Sequence, residues 1–310
     1  MDAREAKPVR VARAIQAPRL ASPGAPPTAS ASLQHPTRAS TPASMMFDDL
    51  TEVPVDVTVV VPTFNERESI APLVRALEAV LNPLPYRTEI VVVDDASPDG
   101  TAEVVRRLPT RVPTRIIVRH HDKGLASAVL TGVSAAKGRV CLVMDADGSH
   151  PPDMAPALIE TVLEGRAEMV LASRYAPGGT TDQGWPSARR LMSRVATWLA
   201  RPLTSVHDPM TGFFALDSRI LSRGDLSPIG YKIGLEFLVR CRPHPVLEVP
   251  FVFRDRRVGN SKMSFKEVFR YARHLSRLYL DRMEGKFGPY IPSPDVPPGG
   301  EKTASPGPTL

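Results

Sequence analysis

The sequence predicts a doubly wound α/β fold, with a mostly parallel sheet flanked by helices and a C-terminal amphipathic helix. Three observations carry that expectation. Short apolar runs rich in β-branched residues recur along the chain, helical patterns fill the intervals between them, and acidic pairs stand directly after two of the runs. Runs that are apolar throughout, without alternation, suit strands buried on both faces of a parallel sheet.

The strands expected in order are Val57–Val61, Glu89–Val93, Arg115–Val118, Val140–Met144 and Met169–Ala172. Between them lie helical patterns at Glu66–Leu81, Thr101–Leu108, Lys123–Ala136 and Asp153–Leu163. Repeated strand–helix units place ligands where the strands end. From Ser187 the pattern changes to a helix, the segment Asp208–Leu216, a strand at Val246–Phe253 and a final helix over Ser264–Met283. On that last helix Lys266, Arg270, Arg273 and Arg277 form one stripe, and Val268, Tyr271, Ala272, Leu275, Leu278 and Tyr279 face away. Such a helix either lies in a lipid interface or packs on its own domain with a solvated basic face; periodicity fits both.

Composition narrows the function classes. The chain has 310 residues, 42% hydrophobic and 23% charged, enough apolar material for one large α/β domain or two small ones. Net charge is +6, but six basic residues against Asp2 and Glu5 put +4 of it in residues 1–44, so charge gives a nucleic-acid role little support. Cys141 and Cys241 are the only cysteines; they form no disulfide framework and no CxxC metal site, as expected of a protein in a reducing cytosol. No run approaches the roughly 18 consecutive apolar residues of a membrane span. Residues 1–46 read as an unstructured basic tail rich in Ala, Pro and Ser, 47–286 as the catalytic domain and 287–310 as a second loose tail. Met45 and Met46 stand at the first boundary as alternative starts.

The strongest chemical signal is Met144-Asp-Ala-Asp-Gly-Ser-His150, directly after the fourth strand. Two carboxylates at i and i+2 on extended backbone point the same way. They repel each other unless a hard divalent cation shares them, and Mg²⁺ or Mn²⁺ takes such ligands together with substrate phosphates. A diphosphate leaving group needs that charge as its bond to a sugar breaks. A solvated turn is the ordinary reading of a lone Asp-x-Asp; the surrounding motifs argue against it here. The first strand runs into Val61-Pro-Thr-Phe-Asn-Glu66 with no GxGxxG after it, and no GxxxxGK[ST] occurs anywhere. The second ends in Val93-Asp-Asp-Ala-Ser-Pro-Asp-Gly-Thr101, which caps a helix and also sets Asp94 and Asp95 at the sheet edge that carries Asp145 and Asp147. Acids at two strand ends, with one metal to neutralise them, suggest a nucleotide-sugar site.

These segments resemble family 2 glycosyltransferases, and closely the polyprenyl-phosphate (dolichyl-phosphate) mannosyltransferases. The series continues as Ser173-Arg-Tyr175, Asp208-Pro-Met-Thr-Gly-Phe-Phe-Ala-Leu216, Gly230-Tyr-Lys-Ile233 and Arg256-Arg-Val-Gly-Asn-Ser-Lys262, covering about residues 55–285 in order. The resemblance implies a GT-A-type fold and transfer of mannose from GDP-mannose to a polyprenyl phosphate. It implies that Pro62, Phe64, Glu66, Val93 and Asp95 hold the nucleoside, and that Asp145, the backbone at Ala146, and Asp147 hold diphosphate and metal. Arg174, Arg256 and Lys262 are implied to contact phosphates, and Arg189 with Ser193 to grip the acceptor phosphate. Two departures stand out. Ser149 replaces a metal-ligating Gln found in many relatives, and Phe64 lacks the hydroxyl of the usual Tyr.

An ionised phosphate acceptor carries about −1.5 to −2 charge at neutral pH and needs no general base. The expected reaction is therefore direct displacement with inversion, with Asp145, Asp147 and Arg174 supplying position and charge. Lipid acceptors place the enzyme peripherally on the cytoplasmic face of a membrane, alone or on a separate transmembrane subunit. Three other readings compete. Asp145-Ala-Asp-Gly-Ser149 also resembles the aspartyl motif of haloacid-dehalogenase-type phosphatases, but there it ends the first strand and a later acidic pair completes the site. A non-enzymatic binding subunit would have lost its acidic pairs. A UDP-sugar donor, such as one carrying glucose, is not separated from GDP-mannose by these residues.

Overall fold

The computed structural model describes residues 54–181, 187–227, 229–253 and 265–288. Both expected tails lie outside this range apart from Phe287 and Gly288. β1 (Val57–Thr63) is buried along its whole length, as a central strand covered on both faces must be. α1 (Arg67–Leu81) follows and turns Ile70, Leu73, Val74, Leu77 and Leu81 inward at helical spacing. Then come β2 (Thr88–Asp94), α2 (Thr101–Arg107), β3 (Thr114–Val118), α3 (Leu125–Ala135) and β4 (Val140–Val143).

β1 pairs in parallel with β2 on one edge and β4 on the other, and β3 lies beyond β2. The chain thus winds outward in one direction and then in the other, which opens a crevice at the carboxyl ends of β1 and β4. Pro62 contributes to that opening. Val60 accepts from the Met144 N–H across the β1–β4 seam; Pro62, two residues on, faces the same side and has no N–H to give, and pairing with β4 ends there.

The second half begins with a 3-10 turn (Pro152–Met154), α4 (Ala155–Leu163), β5 (Met169–Ser173), the two-residue β6 (Thr180–Thr181) and α5 (Ser187–Ala200). β7 (Phe214–Asp217) overlaps the end of the segment Asp208–Leu216, for which the residue pattern names no element. It is antiparallel and inserts between β4 and β5. A short α6 (Ile233–Glu236) passes into a π-turn at Phe237–Cys241. The single strand expected over Val246–Phe253 is two, β8 (Val246–Pro250) and β9 (Val252–Phe253), because the chain changes sheet at Phe251: β8 pairs with β5, and β9 with β6. α7 (Phe265–Met283) closes the described chain, and the main sheet runs β3-β2-β1-β4-β7-β5-β8.

The core is two-sided, as the strand pleat requires. Val59, Val61, Ile90, Val92 and Leu142 pack with Leu77 of α1 and Leu158 of α4 on one face. Val60, Val91, Val93, Cys141 and Val143 pack with Val129 and Val133 of α3 on the other. A third cluster joins α5, α6 and α7 through Ala200, Leu203, Leu235, Tyr271, Leu275 and Leu278. Tyr271, Leu275 and Leu278 of α7 are therefore packed on its own domain, while Val268, Phe269, Ala272 and Leu280 stay exposed.

Candidate active site

The Asp-Ala-Asp turn is held from beneath by His150. The ring is buried, stacked on Phe213 at 5.0 Å and met edge-on by Phe251 and Phe253. Its Nδ1 accepts the Asp145 backbone N–H at 3.0 Å, so in the neutral ring Nε2 carries the proton, 3.8 Å from Asp145 Oδ2. Burial pushes the imidazole below its ordinary value and outweighs the opposing pull of Asp145 and Asp147, which keeps it neutral. Nothing in the residue pattern singles out this histidine, because its role depends on aromatic side chains distant in sequence.

Asp147 is buried and accepts the Ser149 backbone N–H at 3.0 Å, with Gly148 at φ +77° making the tight bend. Ser149, expected as a metal ligand, is buried in this turn, and its backbone N–H is the one that donates to Asp147. Asp145 is about a third exposed, and the wall across from it is bare backbone: a Cβ built on Gly212 would stand 3.4 Å from Asp145 Oδ2.

Arg174 extends from the end of β5, buried, and its guanidinium grips Asp208 with two prongs, Nε to Oδ2 at 2.7 Å and Nη2 to Oδ1 at 2.8 Å. The Arg174 backbone N–H also reaches Asp208 Oδ2. Asp208 is in turn held by Glu248, whose carboxylate accepts the backbone N–H groups of His207 and Asp208. Arg174, expected as a catalytic and phosphate-contacting cation, is held in place by one buried acid. The charged groups acting on His150 are Asp145, Asp147, Asp208 and Arg174. Asp145, Asp147 and Asp208 thus lie close to one another around this ring, with Arg174 beside them.

The donor set fits a divalent cation. Among the described residues no cluster of three or more His, Cys, Asp or Glu could hold a metal by itself. Two carboxylates with the remaining positions left to substrate phosphate and water is the manner of Mg²⁺ or Mn²⁺, and differs from the closed sites of structural zinc.

The nucleoside side departs from expectation. Asp94 is buried and accepts from Thr63 Oγ1 at 2.9 Å and from Ser97 N–H and Oγ–H at 2.8 and 2.6 Å. Asp95 accepts from Arg119 Nε and Nη2 at 2.8 and 2.6 Å and from the Gly124 N–H at 2.7 Å. The expectation that one metal neutralises all four acids is corrected: the β2 pair is satisfied by protein donors. Arg119, which sequence reasoning missed, enters because Asp94 pairs with Val118 and so brings the ends of β2 and β3 together. Val93 is wholly buried in the core, so a nucleoside contact by its side chain is excluded; it anchors the strand that presents Asp95. Pro62 is likewise buried in β1. Phe64 is 46% exposed beside these strand ends. Glu66 caps α1 and accepts from Ser69 Oγ at 2.5 Å. Ala146 is buried within the turn.

On the acceptor side Ser193 lies on α5 and bonds Tyr175. Arg189 is on the same helix, but its side chain, like all of Arg256 and Lys262, lies outside the described residues.

An acidic pair after the strand at the switch point of a mostly parallel sheet is the arrangement of a GT-A-type glycosyltransferase. Residues 58–223 match glycosyl transferase family 2, and the chain belongs to that family. It is 42% identical over 226 residues to the dolichol-phosphate mannosyltransferase of Pyrococcus furiosus, covering 72% of this chain but 63% of that protein, so it spans less than two thirds of the archaeal relative's length. It is 40% identical over 237 residues to the dolichol-phosphate mannosyltransferase of Saccharomyces cerevisiae (73% of this chain, 88% of that one). It is 37% identical over 243 residues to the polyprenol monophosphomannose synthase of Mycolicibacterium smegmatis (73% and 89%). Among solved structures, glucosyl-3-phosphoglycerate synthase from Mycobacterium tuberculosis, in complex with Mn²⁺, UDP-glucose and phosphoglyceric acid, superimposes with a TM-score of 0.55 at 20% identity, covering 74% of this chain and 80% of that one. That likeness bears on the fold.

Proposed function

We propose that this chain transfers mannose from GDP-mannose to a polyprenyl phosphate at the cytoplasmic surface of a membrane, using Mg²⁺ or Mn²⁺. The observation that supports the reaction class is the Asp145–Asp147 pair directly after β4, held by the buried His150 and with the backbone of Gly212 beside it. Mannose and the polyprenyl acceptor rest on the relatives' activities at 37–42% identity. A bound divalent cation supplies Lewis-acid charge to the departing nucleoside diphosphate. Asp145 and Asp147 orient the donor's phosphates, His150 fixes the turn that bears them, and Phe64 stacks on the nucleoside. Arg174 adds a cation whose position Asp208 fixes. Asp208 is fully buried and committed to Arg174, so it takes no proton from the acceptor, in keeping with an acceptor that arrives ionised.

The membrane-facing element in this reading is α5. Leu191, Met192, Val195, Trp198 and Leu199 form one exposed stripe at i, i+1, i+4, i+7 and i+8, opposite the buried Thr197 and Ala200. Arg190, Arg194 and Arg201 run along its flank, a pattern suited to acidic headgroups. Among the described residues no helix is long and apolar enough to cross a membrane.

The test offers purified protein, with Mg²⁺ or Mn²⁺ and a short polyprenyl phosphate, a panel of radiolabelled nucleotide sugars. Label moving from GDP-mannose into the lipid fraction is expected. Label moving only from a UDP-sugar overturns the mannose assignment. Release of phosphate from simple esters, with no sugar transfer, overturns the glycosyltransferase reading in favour of a phosphatase.

A further inference from the structure

We infer that Tyr175 is a positioning residue for the acceptor phosphate, acting through Ser193. This rests on the polyprenyl-phosphate reading and goes beyond it by naming the group that aligns the acceptor grip with the donor site.

The turn after β5 is rigid. Ser173 Oγ accepts the Tyr175 and Ala176 N–H groups at 3.3 and 2.9 Å, and Gly179 N–H closes on the Ala176 carbonyl at 2.8 Å. A Cβ on Gly179 would lie 2.5 Å from the Ser173 oxygen, so this close approach requires glycine. The turn carries two consecutive functional side chains in different directions. Arg174 locks onto Asp208, and its guanidinium carbon lies 5.4 Å from the Tyr175 ring centre and 5.6 Å from that of Phe253. The half-buried Tyr175 carries its hydroxyl across to α5 and donates to Ser193 Oγ at 2.8 Å.

Tyr175 therefore ties the helix bearing the acceptor grip to the turn bearing the fixed cation. The tether has a chemical consequence. A hydroxyl that accepts a hydrogen bond becomes a stronger donor, because bonds in a chain polarise one another. With its oxygen engaged by the phenol, Ser193 aims its own proton elsewhere, and a phosphate oxygen is the acceptor that position serves. The phenol thus sets both the place and the donor strength of the Ser193 hydroxyl.

The test compares wild type, Tyr175→Phe, Ser193→Ala and the double variant, measuring KM separately for GDP-mannose and for a short polyprenyl phosphate in detergent, with melting temperature as a control. Removing the phenolic oxygen keeps the ring and its packing. Expected for Tyr175→Phe is an acceptor KM raised about fivefold, the equivalent of one ordinary neutral hydrogen bond, with donor KM unchanged. Ser193→Ala raises the acceptor KM further, and the double variant matches Ser193→Ala alone, because the phenol acts only through the serine. An acceptor KM within twofold of wild type in Tyr175→Phe, an equal rise in donor KM, or effects that multiply in the double variant would each overturn the inference. Should Tyr175→Phe fail to fold, a Ser193→Ala acceptor KM within twofold of wild type overturns the inference from the other end of the bond. Wild type that transfers no sugar to lipid phosphate overturns this inference and the reading beneath it together, whereas active wild type with an unmoved acceptor KM overturns Tyr175 alone.

Discussion

Asp145 and Asp208 are both acids within one site, and their surroundings give them different relations to stability. Asp145 is about a third exposed and Asn keeps its size, so Asp145→Asn should change the melting temperature little. Turnover should fall at least about a hundredfold, because several kcal/mol of charge stabilisation depends on the shared cation. A thermal melt beside a transfer assay checks both halves, and wild-type turnover would sink the metal assignment. Asp208 is the contrasting case. Asp208→Asn leaves the buried Arg174 without its counter-charge, which costs about 3–5 kcal/mol for a pair broken on one side and lowers the melting temperature by roughly 10 °C for a domain of this size. The two variants separate a carboxylate kept for chemistry from one kept for architecture.

At the scale of elements, α5 is apolar on two opposite faces. One packs against α7, where Tyr271 Oη donates to the Ala196 carbonyl and Tyr279 Oη to that of Leu199, each at 2.7 Å. The other stripe stays exposed, with Trp198 at 71% and Leu191 at 64%. Because those side chains are already in water, Leu191→Ser with Trp198→Asp should change the melting temperature little and abolish flotation on acidic vesicles. Flotation unchanged by the pair of substitutions would remove α5 from the membrane contact. Failure of wild type to float on protein-free vesicles would point instead to a separate membrane subunit as the occupant of the stripe. The basic stripe of α7, which the helical wheel makes equally suggestive, is partly consumed within the helix: Arg270 pairs with Glu267, and Arg277 lies 4.0 Å from Asp281. Periodicity displays an amphipathic face, and packing alone says what covers it.

Across the whole molecule, the depressed acids make stability depend on pH. Burial pushes Glu236 upward, but the His274 hydrogen bond and the charges of His274 and Arg240 more than offset it, leaving it below its ordinary 4.5. Burial likewise raises Asp281, and its bonds to Lys286 and Arg240 bring it below 3.8. An acid with a lowered folded-state value contributes stability above its unfolded value and loses it as pH falls through the folded one. Unfolding monitored between pH 8 and 2 should therefore show stability falling first below about pH 6.5, where the unfolded chain takes a proton that the buried His150 does not. It should fall again from about pH 4.5 downward, with the α6–α7 packing among the first regions to loosen in this second step. The parallel half of the fold was legible because its strands are apolar on both faces and each is followed by a helix of the right period. β7 was not, since four residues in reverse direction carry no period of their own. Asp145 and Asp147 were legible from the i, i+2 spacing after a strand. Arg119, His150 and the Arg174–Asp208 pair were hidden, because each depends on which strands become neighbours.

That neighbourhood also governs how the chain can be divided. β4 meets β5 only through β7, which arrives from well downstream and runs against the direction of both. During synthesis, the outer edge of β4 has no ladder partner until Phe214–Asp217 has left the ribosome, and an open edge of this kind invites intermolecular pairing. A fragment ending after α4 would keep the acidic turn yet present an unpaired strand beside it. The two halves of this enzyme are stitched together in space by a segment that neither would own if the chain were cut between them.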